Sequence, residues 1–265
     1  ISPPTISLGN VTNPATCGGA GTIELLGLVS NISYTLNYEY NGTGVAPYIL
    51  VSDSNGKIVI PNLTEGSYTN ITVTDTSSCI SNKIANATLT APISPIVGLK
   101  SFSDLTSCLV NDGKIILQGL NSGEAYEISY KKDNVLVGVK PIIGADSNGE
   151  LTLIDLEAGA YTEISVKSTT TNCISNLVSA TLNYPTAPNK PVIQNQSFCD
   201  VSTLGAIAYT NITGEEIKWF AAAIGGIQLS TTTAITATTT YYAETTNIAS
   251  GCVSATRTPV VITIN

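Results

Sequence analysis

The chain has 265 residues, which is enough for two or three domains of ordinary size. Its net charge is −8, only 11% of its residues are charged, and it contains no histidine. The acidic balance disfavours nucleic acid and anionic membrane surfaces as partners, and no apolar run is long enough to insert into a membrane. The absence of histidine excludes Ser-His-Asp and Cys-His nucleophilic sites and the zinc sites that contain histidine, so the composition favours a protein that is not an enzyme.

The first part of the chain contains a series of short segments with strand composition. In chain order these are "GTIELLGL" (21–28), "YTLNY" (34–38), "DSNGKIVIPNL" (53–63) and "GSYTNITVTD" (66–75). Each alternates apolar with polar residues, which is typical of a half-buried strand, and "DSNG" is typical of a tight turn. The alternation is interrupted at Thr69 and Asn70, which predicts a β-bulge there.

The same order of segments returns about ninety residues later, as "GKIILQGL" (113–120), "YEISY" (126–130), "DSNGELTLIDL" (146–156) and "GAYTEISVKS" (159–168). Repetition at this length indicates two copies of one module, followed by a shorter third module with strand-like segments of its own. We therefore predict an all-β fold of three tandem immunoglobulin-like antiparallel β-sandwiches, covering residues 1–92, 93–187 and 188–265. Proline-rich connectors at 91–95 and 184–191 predict an elongated rod.

Each predicted module contains two cysteines, which favours one disulfide per module. The predicted pairs are Cys17–Cys79, Cys108–Cys173 and Cys199–Cys252. Three pairs of reduced core thiols are the alternative, because unpaired cysteine is often buried. Disulfides would place the protein in an oxidising compartment, and we expect it to be secreted.

The second cysteine of each of the first two modules ends a recognisable signature. "GSYTNITVTDTSSC" (66–79) and "GAYTEISVKSTTTNC" (159–173) resemble the repeat signature Gly-Thr-Tyr-Thr-Val-Thr-Val-Thr-Asp-x-x-Gly-Cys of SprB-type gliding-motility surface adhesins from Bacteroidota. The resemblance covers roughly residues 1–187, with Ser78 and Asn172 in place of the glycine. Residues 188–265, with "EIKWF" and "TTTYYAE", resemble the Ig-like module of type IX secretion substrates of the same bacteria. The resemblance implies export to the outer face of the outer membrane.

Two equivalent turns offer oxygen ligands for a metal ion. Asp53 with Asn55, and Asp146 with Asn148, repeat the same spacing in the first two modules. Calcium prefers such carboxylate and amide oxygens but needs six or more of them. The same spacing is also that of a plain Asx turn, which we favour. Calcium is the one cofactor that the sequence leaves open.

Two aromatic residues of the third module are candidates for contact with a ligand, Phe220 and Tyr242, whereas we expect Trp219 to lie in the core.

The leading prediction is a structural or adhesive segment of a large secreted cell-surface adhesin, for gliding motility or surface attachment. Its expected partners are an extracellular surface or polysaccharide and neighbouring repeats of the same chain. The alternative is a carbohydrate-binding module, or an accessory module of a secreted polysaccharide-degrading enzyme. We expect no catalytic residues in either case.

Overall fold

Strands account for nearly all the regular structure of the chain. The computed structural model describes residues 2–138 and 142–265, and in this part it contains one short 3₁₀ helix, Leu204–Ala206, besides the strands. None of the helical structure described there is long and apolar enough to cross a membrane. The all-β prediction is confirmed.

The first unit is built from strands β1 to β8, which form two antiparallel sheets around one hydrophobic core. The strands are β1 (Ser7–Thr12), β2 (Gly21–Leu26), β3 (Ser33–Tyr40), β4 (Thr43–Gly44), β5 (Tyr48–Val51), β6 (Ile58–Leu63), β7 (Gly66–Thr74) and β8 (Ile84–Leu89). One sheet has the order β1-β2-β6, and the other has the order β4-β3-β7-β8 with β5 also paired to β3. Alternate side chains, such as Ile23, Leu36 and Val73, are buried between the sheets.

The second unit repeats the first unit strand by strand. Its strands are β9 (Gly98–Ser103), β10 (Gly113–Gln118), β11 (Ala125–Lys132), β12 (Val135–Val137), β13 (Ile143–Gly144), β14 (Leu151–Leu156), β15 (Gly159–Ser168) and β16 (Val178–Leu182). The sheet orders β14-β10-β9 and β12-β11-β15-β16, with β13 paired to β11, are those of the first unit. The repeat in the sequence is therefore also a repeat in the fold.

The third unit is smaller and differs in one pairing. Its strands are β17 (Gln196–Phe198), β18 (Ser202–Thr203), β19 (Glu215–Phe220), β20 (Ala234–Ile235), β21 (Thr239–Asn247) and β22 (Thr258–Ile264). The main sheet has the order β17-β22-β21-β19, and β18 pairs with β20. The short strand β17 runs parallel to β22, whereas we predicted only antiparallel pairs. Trp219 lies in the core of this unit, as we expected.

The predicted bulge in the first unit is present. Asn37 pairs with Thr72 but Glu39 pairs with Thr69, so β7 has one more residue than β3 across this step. Asn70 takes up the extra length in a left-handed conformation with φ of 55°, which Asn tolerates better than most residues. As a result Tyr68 and Ile71, three residues apart, both face the core.

The glycines of the two "DSNG" turns are required by their backbone conformation and by a close approach of backbone. Gly56 and Gly149 have φ of 70° and 72°. A Cβ on Gly56 would lie 1.9 Å from the carbonyl oxygen of Leu28, and one on Gly149 would lie 2.1 Å from that of Leu120. The Leu120 N–H donates to the Gly149 oxygen at 3.1 Å, which fixes the two segments against each other.

We expect Gly149→Ala to destabilise the second unit by roughly 3 kcal/mol, because the left-handed conformation and a backbone clash both oppose the new Cβ. Gly123 is a matched control, since its φ is 74° and a Cβ there would meet nothing within 4 Å. Gly123→Ala should cost only about 1 kcal/mol. Hydrogen exchange of the amides in β10 and β14 measures both effects, and equal losses would show that the close approach contributes nothing.

Candidate functional site: the disulfide joints between units

The disulfides connect consecutive units. Cys17 of the first unit is bonded to Cys173 of the second, and Cys108 of the second is bonded to Cys252 of the third, each with a Cα–Cα distance of 5.0 Å. The other two cysteines are free thiols. The presence of disulfides was predicted correctly, but the predicted partners are wrong for all three pairs: Cys17–Cys79, Cys108–Cys173 and Cys199–Cys252.

The two cysteines of one unit cannot pair because they lie at opposite ends of it. Cys17 comes just before Gly21, which pairs with Leu63 at the end where β7 begins. Cys79 follows the other end of β7, a strand of nine residues. At about 3.3 Å per residue the two ends are roughly 30 Å apart, whereas bonded cysteines need Cα atoms within about 7 Å of each other.

In the first joint, the loop that carries Cys17 contacts the hairpin after β15, at the end of the second unit that lies next to the connector. The Cys17 N–H donates to the carbonyl oxygen of Thr171 at 2.8 Å. The Sγ atoms of Cys17 and Cys173 both lie 3.7 Å from the carbonyl oxygen of Pro92, in the connector between the units. The disulfide therefore runs directly beside the connector, and two covalent links cross the joint.

The second joint has the same construction. The Cys108 N–H donates to the carbonyl oxygen of Ser250 at 2.9 Å, and the Ser107 hydroxyl donates to the same oxygen at 2.7 Å. The Sγ of Cys252 lies 3.7 Å from the carbonyl oxygen of Pro185, again in the connector. The same backbone hydrogen bond and the same contact between sulfur and connector therefore recur at both joints.

The hairpin that carries the second cysteine has one form in all three units. The residue before the cysteine is left-handed each time, with φ of 63°, 56° and 68° for Ser78, Asn172 and Gly251 respectively. The serine two positions after the cysteine accepts a backbone N–H of the preceding strand at 3.0, 3.0 and 3.2 Å, for the pairs Ser81–Val73, Ser175–Val166 and Ser254–Thr245. In the repeated Cys-x-Ser motif, the serine therefore closes the hairpin with a hydrogen bond and holds the cysteine in the same position in each unit.

The two joints differ in the residues beside their sulfurs. In the second joint Leu109 lies over Gly251, where a Cβ would come within 2.5 Å of the leucine Cδ1. In the first joint the equivalent positions are occupied by Gly18 and Asn172. Each joint thus combines one glycine with one larger residue, which leaves room for the two backbones to approach.

The turns considered for calcium have a structural role in the chain. The Asp53 Oδ1 accepts the N–H groups of Asn55 and Lys57 at 2.8 and 2.9 Å, and the Asp146 Oδ1 accepts that of Asn148 at 2.8 Å. This is the Asx turn that we favoured. Among the described residues, no group of three or more Asp, Glu, Cys or His side chains is placed to hold a metal ion. Calcium binding at these turns stays a prediction.

These turns should make stability depend on pH below about 4. The backbone N–H groups of Glu150 and Asn148 lower the pKa of the Asp146 carboxyl, and those of Lys57 and Asn55 do the same for Asp53. A carboxyl whose pKa is lower in the folded state stabilises the fold at pH values above its ordinary pKa of about 3.9. This stabilisation is lost as the pH falls through the pKa of the folded state.

We therefore expect Asp53→Asn with Asp146→Asn to lower the thermal midpoint at pH 7, and this deficit to shrink at pH 3, which is below the pKa of these carboxyls in the unfolded wild-type chain. Thermal melting of both proteins at each pH measures the difference. A deficit that is the same at both pH values would contradict this role. A rise in the wild-type midpoint on adding calcium, absent in the variant, would show that the turns also bind the ion.

The aromatic candidates of the third unit are not arranged as predicted. Phe220 is only 7% exposed, and the guanidinium of Arg257 covers its ring at 3.3 Å from Cζ to the ring centroid. The Arg257 Nε–H donates to Glu244 at 3.0 Å, which holds the guanidinium in place. The prediction that Phe220 faces a ligand is therefore wrong. Tyr242, its neighbour across the β19–β21 pair, is half-buried.

A groove in the third unit was missed by the sequence analysis. It has a volume of about 370 Å³ and lies between residues 189–193, where the connector enters the third unit, and the loop 209–212. Tyr209, which is 38% exposed, contributes the aromatic side chain. The loop has no strand periodicity, so the only available signal was a tyrosine among polar residues outside a predicted strand.

Comparison with known proteins identifies one part of the chain. Residues 185–265 match the family described as Ig-like domain CHU_C associated, which confirms the Ig-like character predicted for the third module. No curated protein matches the chain.

Among solved structures, the chain is similar to a two-domain fibronectin type III segment of chicken tenascin, at 17% identity and a TM-score of 0.26, covering 69% of this chain and 99% of that one. It is also similar to domains FN1–FN3 of chicken CNTN1, at 14% identity and 0.27, covering 99% of both chains. A third is the extracellular domains 3–5 of Drosophila OTK, at 13% identity and 0.26, covering 100% of both.

Proposed function

We propose that the chain is a non-enzymatic structural and adhesive segment of a large secreted surface protein, which holds its ends apart and transmits force between them. The observation that carries this proposal is the double covalent link at each joint. A connector alone would leave a hinge between two units. A disulfide beside it, with a backbone hydrogen bond next to the sulfur, removes most of the freedom to bend and twist.

Several features support a place on the outside of a cell. Disulfides persist in oxidising compartments, and the chain closes two of them. Residues 1–187 resemble SprB-type repeats, and the third unit matches an Ig-like family. We propose the outer surface of a Bacteroidota cell as the location, type IX secretion as the route, and surface attachment or gliding motility as the process. The proposed partners are an extracellular surface or polysaccharide and neighbouring repeats.

The stiffness of the oxidised chain tests this function. We expect small-angle X-ray scattering to give one narrow distribution of interatomic distances for the oxidised protein, and a broader one after reduction with a thiol reagent. Cys17→Ser with Cys173→Ser should loosen the first joint alone, and Cys108→Ser with Cys252→Ser the second alone. Identical distributions before and after reduction would contradict the proposal, because the disulfides would then add no rigidity.

The groove in the third unit favours a second candidate function, the recognition of a polysaccharide. Its apolar side chains, among them Val192 and Ile212, and the exposed Tyr209 could stack on a sugar ring. A glycan array with the whole chain, repeated with Tyr209→Ala, tests this function, and Tyr242→Ala separates the groove from the other aromatic candidate, which lies outside it. Saturable binding that only Tyr209→Ala abolishes would contradict a purely structural segment. Hydrolysis of any polysaccharide would contradict both functions.

A further inference from the structure

The two free cysteines occupy the same positions as the bonded ones. Cys79 stands in the hairpin of the first unit, where the second and third units have the bonded Cys173 and Cys252. Cys199 stands in the loop of the third unit, where the first and second units have the bonded Cys17 and Cys108. In each joint a loop cysteine is bonded to the hairpin cysteine of the next unit. The chain therefore has one free hairpin cysteine, Cys79, and one free loop cysteine, Cys199.

The hairpin of Cys79 already has the form found in the joints. The Asp75 N–H donates to the Cys79 carbonyl oxygen at 3.1 Å, as the Ser168 N–H does to that of Cys173 at 3.0 Å. Ser78 has the left-handed φ found in the other two hairpins. The difference lies in burial, because Cys173 is completely buried by the joint while Cys79 is partly exposed. The hairpin is preformed for a partner that would cover it.

Cys199 lies where a joint would need it, at the opposite end of the molecule. It directly follows β17, and the Asn265 N–H donates to the carbonyl oxygen of Phe198 at 3.0 Å, so the thiol stands beside the end of β22. Cys17 likewise lies just beyond the end of β8, where its Sγ is 3.7 Å from the carbonyl oxygen of Pro92. The Cys199 thiol is exposed.

We propose that Cys79 and Cys199 are complementary halves of a further joint, in which Cys199 bonds to the Cys79 position of another unit of this construction. That unit can come from a second copy of this chain or from a continuation of the same polypeptide. A loop cysteine that bonds to a hairpin cysteine makes a head-to-tail contact, which adds units in series until a ring closes, if the rotation between units allows one. This inference goes beyond the proposed function and requires no adhesive activity.

The bond forms by two thiol–disulfide exchanges with a small disulfide such as oxidised glutathione. The thiolate of one cysteine attacks the small disulfide, forms a mixed disulfide and releases one glutathione thiol. The thiolate of the partner cysteine then attacks the protein sulfur of that mixed disulfide and releases the second. Each cysteine loses one proton, the two cysteines are oxidised together by two electrons, and one oxidised glutathione is reduced to two thiols.

The test uses the whole chain in a glutathione redox buffer at high protein concentration. We expect a ladder of oligomers on non-reducing gels, with a peptide pair joined through Cys79 and Cys199 in mass spectrometry. Cys79→Ser alone and Cys199→Ser alone should each stay monomeric, and a mixture of the two variants should stop at the dimer. Bonds between two Cys79 thiols, between two Cys199 thiols, or within one chain would overturn the proposal.

A tandem fusion of two copies distinguishes the two sources of the partner unit. If separate chains and the fusion both form the bond, a second copy suffices. If only the fusion forms it, the partner unit belongs to the same polypeptide. If neither forms it, the proposal is wrong. The scattering test of the existing joints is independent of this result, so the proposed function can fail or hold separately.

Discussion

When it is stretched from its two ends by single-molecule force, the oxidised Cys108→Ser, Cys252→Ser variant should have a fully extended length roughly 500 Å shorter than that of the same variant after reduction. The Cys17–Cys173 bridge spans a sequence separation of 156 residues, and an extended chain gains about 3.3–3.6 Å per residue. Force entering at the N-terminus passes through the bridge and bypasses the residues between its sulfurs.

The reciprocal variant, Cys17→Ser with Cys173→Ser, is the matched control. It retains the Cys108–Cys252 bridge, whose separation of 144 residues should release slightly less length on reduction. Both variants need Cys79→Ser and Cys199→Ser as background, so that no other thiol can exchange. Equal contour lengths before and after reduction would mean that the bridges do not form in solution.

Removing one bridge should destabilise the unit at that end of the chain, although neither bridge lies within a unit. If the first unit unfolds while its bridge stays closed, residues 18–91 form a loop between Cys17 and the folded second unit. Closing a loop of this size removes entropy from the unfolded chain that is equivalent to about 4 kcal/mol. We therefore expect Cys17→Ser with Cys173→Ser to lower hydrogen-exchange protection in the core of the first unit by roughly 10³-fold.

The protection of the third unit should be unchanged in that variant, and Cys108→Ser with Cys252→Ser should give the reverse pattern. Mass spectrometry of exchanged peptides from β7 and β21 reports the two units separately. The second unit is tied by both bridges, so each variant should affect it. Equal loss in the first and third units for both variants would contradict this arrangement.

The sequence predicted the features that depend on neighbouring residues. Alternation of apolar and polar residues located the strands, and its interruption at Thr69 and Asn70 located the bulge. The turn chemistry of Asp53 and Asp146 was also readable, because their oxygens bond to N–H groups only two and four residues away.

The disulfide partners were wrong because they depend on the direction in which each strand runs. Successive antiparallel strands reverse direction, and following these reversals from β2 to β7 places Cys17 and Cys79 at opposite ends of the first unit. The order of the predicted strands already contained this information. The burial of Phe220 had no such signal. Arg257 covers its ring from the start of another strand, and only the folded sheet brings the two together.

The double link at each joint also protects the chain against proteases. Ile93 and Tyr184, in the two connectors, are 91% and 49% exposed, and exposed connectors are preferred sites of proteolytic cleavage. A cut at either connector leaves the units joined, through Cys17–Cys173 in the first case and Cys108–Cys252 in the second. A cleaved molecule therefore keeps its units in series until a reductant also acts, which is an advantage for a protein exposed to extracellular proteases.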